Sequence, residues 1–210
     1  MNAQGKRSGE TAREYAYRMI REQVISLELK PGEAFNDMEF AAKIGVSRTP
    51  VREAVIQLSE ESRIIEIFPQ RGMRIAPIDV ELVEEARSLR VLLEKQIAGM
   101  CCEMATEEDI KWLQENVGLQ EFYMENSRPE MVMQLDDEMH HKLFMICHRE
   151  LTYGMCQKLA IHYDRIRSLS VNTVKDNTII EDHRKIIQFI AEHKKENAMA
   201  QMEKHLSRWQ

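Results

Sequence analysis

The sequence predicts a mainly α-helical protein in two parts: three helices and a β-hairpin, then an all-helical bundle. Three observations point there. Apolar residues recur at three- and four-residue spacing along most of the chain. Two short β-branched runs, Ile64–Phe68 and Met73–Ile75, flank a Pro/Gly turn and read as a hairpin. After Pro77-Ile78-Asp79 that β signal disappears, dividing the chain into residues 9–78 and 79–210.

In the first part, Tyr17, Ile20, Val24 and Leu27 give one apolar face to a helix over Glu10–Leu27. Lys30-Pro31-Gly32 stops it, because Pro cannot continue a helix and Gly takes the turn. Asn36 can cap a second helix, with Glu39 completing a capping box, and Gly45 suits its left-handed end. Ser47 is placed to cap a third helix, with Pro50 tolerated in the first turn. Its inner face is Val51, Ala54, Val55 and Leu58. Three helices followed by a hairpin is the order of a winged helix-turn-helix. The second part reads as six helices near 80–102, 106–126, 129–148, 150–170, 176–194 and 196–209, with a polar break at Asn172–Asn177.

The net charge of −6 argues against a nucleic-acid partner only until the chain is divided. Residues 1–78 carry 12 Lys/Arg against 11 Asp/Glu, and residues 79–210 carry 17 against 24. The acidity belongs to the second part, and position matters more than the sum. Cys101, Cys102, Cys147 and Cys156 form no CxxC pair and lie in apolar helical stretches, as buried small hydrophobes do. No apolar run approaches the ~18–20 residues of a membrane span. The polar start lacks a secretory signal's apolar core, so a cytoplasmic protein is expected.

The most informative segment is Glu39 to Ala54. Two short helices joined by a Gly-containing turn place the second in the major groove of double-stranded DNA. With the aliphatic face of the third helix inward, Arg48, Thr49 and Arg52 fall on the opposite face. Arg48 and Arg52 are four residues apart and project together. A guanidinium fork matches O6 and N7 of guanine, and Ser47 and Thr49 can donate to phosphates near the helix N-terminus. At the hairpin tip, Arg71 beside Gly72 can reach a phosphate or a minor groove.

A second constellation lies in the helical part. Asp136 and His140 share one face of a helix whose Leu135, Met139, Leu143 and Cys147 point inward. Asp137 and His141 offer a competing register about 100° around the helix. His183 sits between Ile180 and Ile187, and His205 beside Met202 and Leu206. Three imidazoles and a carboxylate reaching a bundle interior would suit a divalent transition metal such as zinc or nickel. His148, His162 and His193 match no partner and read as surface or structural residues.

Gly45-Val46-Ser47-Arg48-Thr49-Pro50-Val51-Arg52-Glu53-Ala54, with Lys30-Pro31-Gly32-Glu33 and Gln70-Arg71-Gly72, resembles the GntR family of bacterial regulators. The resemblance implies DNA contacts from Ser47, Arg48 and Arg52 and a wing tip at Arg71-Gly72; Met38 stands where some relatives place an Arg. The helical part resembles the FadR-type branch, whose effector domain is called FCD. Arg90 to Glu94 is similar to the R-x-x-x-E of that domain's first helix. Asp136 to His140 is similar to its D-x-x-F-H, with Met139 for the usual Phe. Glu181 to Arg184 and Lys204 to Leu206 resemble the helices carrying two further His.

The resemblance therefore implies Asp136, His140, His183 and His205 as metal ligands and a small organic or sugar acid as effector. Arg90, Arg165 or Arg167 would clamp its carboxylate, with bundle salt bridges as the alternative role. A repressor is expected, acting as a two-fold homodimer on a palindromic operator, with the effector changing its DNA affinity. The rival readings are a metal-dependent enzyme fused to a DNA-binding part, and a DNA-binding protein with no effector. Against the enzyme, the sequence lacks H-E-x-x-H, G-x-S-x-G, a P-loop and a dinucleotide fingerprint.

Overall fold

A computed structural model describes residues 5–171 and 178–207, so the Asn172–Asn177 break and the outermost ends expected for the last two helices lie outside the described residues. The chain forms two compact units, Met1–Val83 with Ile161–Ser168, and Glu84–Ala160 with Leu169–Gln210. No described helix is long and apolar enough to cross a membrane.

The first unit opens with α1 (Ala12–Ile25). It starts two residues later than expected, because Thr11 and Glu14 make a reciprocal capping box. In α2 (Asp37–Ile44) the expected cap forms, with Asn36 accepting from the backbone N–H groups of Met38 and Glu39. Gly45 ends the helix at φ 73°, a left-handed conformation that costs a residue without Cβ nothing. Ser47 precedes α3 (Arg48–Ser62) with extended backbone, but its side chain makes no capping hydrogen bond. An N-cap oxygen accepts from the second or third helical N–H, and the third residue here is Pro50, which has none.

The hairpin β2 (Ile65–Phe68) and β3 (Gly72–Ile75) forms as expected, closing with Phe68 opposite Gly72. The structure adds a strand, β1 (Ala34–Phe35), antiparallel to β3, so the sheet order is β1-β3-β2. Two residues are too short to show any period, which is why sequence pattern passes over them. Phe35 and Phe40 pack with their ring centroids 5.3 Å apart, and the core closes over Ile20, Leu58 and Ile75.

After the hairpin come α4 (Val80–Met104), α5 (Glu107–Glu125), α6 (Pro129–Ile146), α7 (Glu150–Val171), α8 (Thr178–Ala191) and α9 (Lys195–Ser207), close to the six expected helices, and the second unit is built from them apart from the first residues of α4 and residues 161–168 of α7. Its core gathers Cys101, Leu113, Met139, Phe144, Ile187 and Met202. A Cβ on Gly99 of α4 would meet the Met199 sulfur at 2.9 Å, so a residue weak in helices is kept where α9 approaches closely. All four cysteines are free and buried.

Residues 161–168 of α7 pack within the first unit. There Arg165, fully buried, donates to the carbonyls of Ala76 at 2.7 Å and Pro77 at 3.5 Å. His162, also buried, has Nε2 2.5 Å from the Ser62 carbonyl at the end of α3. Burial holds this imidazole below its ordinary value of 6.5, although the Ser62 carbonyl opposes the shift. The unfolded chain therefore takes up the proton more readily than the folded one. The stabilising contribution is complete above pH 6.5 and is lost as the pH falls through and below that value. Chemical denaturation at a series of pH values should show the loss, and His162→Gln should flatten it; an unchanged slope would assign the dependence to other groups.

Candidate nucleic-acid interface and metal centre

Val51, Ala54, Val55 and Leu58 have no exposed surface, and burying them turns the other side of α3 to solvent. Ser47, Arg48, Thr49 and Arg52 are all exposed there, and Arg71 and Gly72 are exposed where β2 turns into β3. Gly72 holds φ 97°, a conformation L side chains rarely adopt. Arg48 is anchored at one edge: its Nε donates to Asp37 Oδ2 at 2.9 Å, and Asp37 is buried at the start of α2. The Arg48 side chain remains 51% exposed, so its terminal nitrogens are held at the surface with reduced freedom. Sequence reasoning passed over Asp37; an acid at a helix start reads first as a dipole complement.

In the second unit Asp136, His140, His183 and His205 converge, each offering one donor atom, with all four atoms within 4.8 Å of one another. All four residues are buried. The Nε2 atoms of His183 and His205 are 3.2 Å apart, and those of His205 and His140 3.3 Å. Asp136 Oδ1 lies 3.3 Å from His183 Nε2 and 3.9 Å from His140 Nε2. The register is decided: Asp136 and His140 face inward, while His141 is partly exposed and stacks on Tyr153 at 4.3 Å.

The donor set fits a divalent transition ion. Two imidazole nitrogens at ~2.1 Å from one ion stand ~3.0 Å apart at a right angle and ~3.4 Å at the tetrahedral angle, and the His183–His205 and His205–His140 spacings lie between. Burial, then the nearness of His183 and His140, holds His205 well below the ordinary imidazole range, keeping it neutral. Behind His140, Glu94 Oε2 lies against Nδ1, and Arg90 Nε donates to Glu94 Oε1 at 2.7 Å. Burial alone would raise the Glu94 carboxyl, but Arg90 and His140 outweigh it and hold the value at about 2.

Each of the three arginines offered as a carboxylate clamp has partners within its own unit. Arg90 lies with the cluster and is engaged with Glu94. Arg165 and Arg167 belong to the first unit, where Arg165 binds the Ala76 and Pro77 carbonyls and Arg167 pairs with Asp164 at 3.2 Å. Their engagement is of the structural kind that sequence reading set beside the clamp. Two residues of the cluster's surroundings were missed. Gln120 Oε1 meets His183 Nδ1 at 2.8 Å, and Gln120 Nε2 donates to Asn116 Oδ1 at 2.8 Å. The signal was present: Leu113, Asn116, Val117 and Gln120 recur at helical spacing, so two amides share the apolar face of α5.

If these four residues are a metal site, Zn²⁺ at 100 times its Kd stabilises the folded chain by ~2.7 kcal/mol. Thermal melts should show a rise in Tm for the parent that is absent in His183→Ala and His205→Ala. A Tm indifferent to the ion in the parent would exclude the site.

Residues 12–75 match the bacterial regulatory proteins of the gntR family, and residues 85–208 match the FCD domain. The chain is 30% identical over 158 residues to the HTH-type transcriptional repressor RspR of Escherichia coli (strain K12), covering 75% of this chain and 69% of that one. It is 29% identical over 204 residues to an HTH-type transcriptional regulator in an unstable DNA locus of Streptomyces ambofaciens, covering 95% and 84%. Two solved structures share the fold. McbR/YncC of E. coli superposes with a TM-score of 0.78 at 18% identity over 94% of each chain. A GntR regulator from Rhodococcus sp. RHA1 gives 0.75 at 16% identity, over 92% of this chain and 93% of that one. The names are those of transcription regulators, not enzymes. The chain belongs to the GntR family of bacterial transcription regulators, with a helical domain of the FCD class.

Proposed function

We propose that the chain is a cytoplasmic repressor that binds a palindromic operator as a homodimer, and whose helical unit holds zinc or nickel and a small carboxylate effector. The buried convergence of three imidazole Nε2 atoms and one carboxylate oxygen carries the sensing half of this reading. Membership of a DNA-binding regulator family and the exposed Arg48/Arg52 pair support the other half. Repression follows the printed function of RspR.

On DNA, Arg48 and Arg52 present their terminal nitrogens to guanine edges in the major groove. Ser47 and Thr49 donate to phosphate at the α3 N-terminus, where the helix dipole also attracts an anion; the Ser47 hydroxyl, unused as a cap, is suited to this. Arg71 and Gly72 at the wing tip approach the flanking backbone or minor groove. A two-fold dimer matches the two half-sites of a palindrome.

In the helical unit, Asp136, His140, His183 and His205 hold the ion, and Glu94 and Gln120 brace the rings behind it. The bound ion supplies a Lewis-acid centre that a carboxylate can ligate. Arg90, engaged with Glu94, keeps a positive charge beside the site that favours an anionic ligand. The effector changes operator affinity to the extent that it binds one conformation of the protein better than another.

An operator selected from random duplexes, followed by titration at fixed salt, tests both halves. Arg48→Ala and Arg52→Ala should each cost ~1–3 kcal/mol and relax specificity at one base pair. Ser47→Ala should weaken binding evenly across sequences. Small carboxylic acids should shift operator affinity in the metal-loaded parent and not in His183→Ala. Arginine variants that keep both affinity and specificity would overturn the DNA-reading assignment, and acids without effect on the metal-loaded parent would overturn the sensing one.

A further inference from the structure

We infer that Gln120 and Glu94 are positioning residues that preset which ring nitrogen of His183 and of His140 bears the proton, and that His205 is left to change its tautomer when an ion enters. The first statement concerns the protein alone; the second rests on the metal reading above.

Gln120 is fully buried on α5. Its amide nitrogen donates to Asn116 Oδ1 at 2.8 Å, which turns its oxygen toward His183 Nδ1, also at 2.8 Å. An amide oxygen only accepts, so Nδ1 of the neutral ring carries the hydrogen and Nε2 carries a lone pair. That lone pair faces Asp136 Oδ1 at 3.3 Å and His205 Nε2 at 3.2 Å. Two acceptors so close in a buried site repel each other, and a cation between them turns the repulsion into attraction. Gln120 thus organises the cluster for positive charge rather than for its own internal hydrogen bonding.

Glu94 acts likewise on His140. Its carboxylate lies against Nδ1, an acceptor facing a ring nitrogen, so the proton belongs there and Nε2 is again bare. His205 differs: neither its Nδ1 nor that of His140 makes a well-directed hydrogen bond, but the Glu94 carboxylate lies against His140 Nδ1, and no such ion-pair contact stands at His205 Nδ1 among the described residues. Its Nε2 lies 3.2 and 3.3 Å from the lone pairs of the other two rings, so this nitrogen carries the proton in the metal-free protein. For His205 to ligate an ion through Nε2, that nitrogen would have to give up its proton, with one taken up at Nδ1. The ring then exchanges Nε2–H for Nδ1–H, with no net change in its proton count, and buries an N–H that has no acceptor. Two rings are prepared and the third adapts.

Long-range ring ¹⁵N spectra of the metal-free full chain test this without any ion. Expected are Nδ1–H at His183 and His140 and Nε2–H at His205. Gln120→Leu should release His183 to the Nε2–H form, in which the ring donates to Asp136, while Gln120→Glu, still an acceptor, should retain Nδ1–H. Nε2–H at His183 in the parent, or a His183 signal unmoved by Gln120→Leu in a folded variant, would overturn the role of Gln120. Zn²⁺ added to the same samples should convert His205 to Nδ1–H. A chelator competition with Co²⁺ should show ~10–100-fold weaker binding for Gln120→Leu and near-parental binding for Gln120→Glu. Equal affinity of Gln120→Leu and parent would count against the presetting. A parent that takes up neither ion defeats the metal reading and the His205 exchange, while the metal-free spectra still decide the role of Gln120.

Discussion

A polar group placed inside a helical bundle must find a partner or cost the fold its full desolvation, and the second unit is arranged around that requirement. Asp136, His140, His183, His205, Glu94, Gln120 and Asn116 are all buried in it, drawn from five of its helices. Behind two of the rings the chain supplies polar neighbours, an amide pair behind His183 and an Arg–Glu pair behind His140, while His205 Nδ1 has no hydrogen-bond partner among the described residues. At the centre, three imidazole nitrogens and a carboxylate oxygen converge, with the His183 Nε2 lone pair facing the Asp136 carboxylate and His205 Nε2 between the other two rings. A half-satisfied polar network is a weakness in a structural core, and it is useful in a site that receives a cation.

The first unit solves a different problem with the same economy. Its chemistry is carried on the surface, so the core must hold α3 rigidly and leave one face untouched. Val51, Ala54, Val55 and Leu58 do so by total burial, and the 3.6-residue period then leaves Arg48 and Arg52 no direction but outward. The buried Asp37 adds a second constraint by holding Arg48 at its Nε. A long charged side chain loses rotamer freedom on binding, and an arginine already held at one edge has less to lose. Pro50, by denying Ser47 its cap, leaves that hydroxyl without an intramolecular use at the helix start.

Much of this was readable beforehand, for identifiable reasons. The caps at Asn36 and Gly45, the inner face of α3 and the hairpin about Gly72 all rest on contacts within a few residues, where local rules operate. The residues of the buried cluster were legible because each histidine sits on an apolar helical face, which is a local pattern too. What escaped notice needed distance. The strand β1 exists only because β3 lies beside it. Gln120 was one of two amides on the inner face of α5, and nothing short of its neighbour 63 residues away could show what they serve. For the arginines of α7 the residue type left both a clamp and a structural role open, and packing supplies the carbonyls and the aspartate they engage.

By itself, then, the order of residues determined the helices and hairpin, the outward direction of Arg48 and Arg52 and the inward faces that carry Asp136, His140, His183 and His205, since all follow from periodicity and nearest-neighbour chemistry. Tertiary structure alone decided that Asp136 and His140, rather than Asp137 and His141, meet His183 and His205, and which groups stand behind each ring. The reason is geometric. Helical period says which face a residue occupies, but only the packing of separate helices says which atoms from distant parts of the chain come within bonding reach.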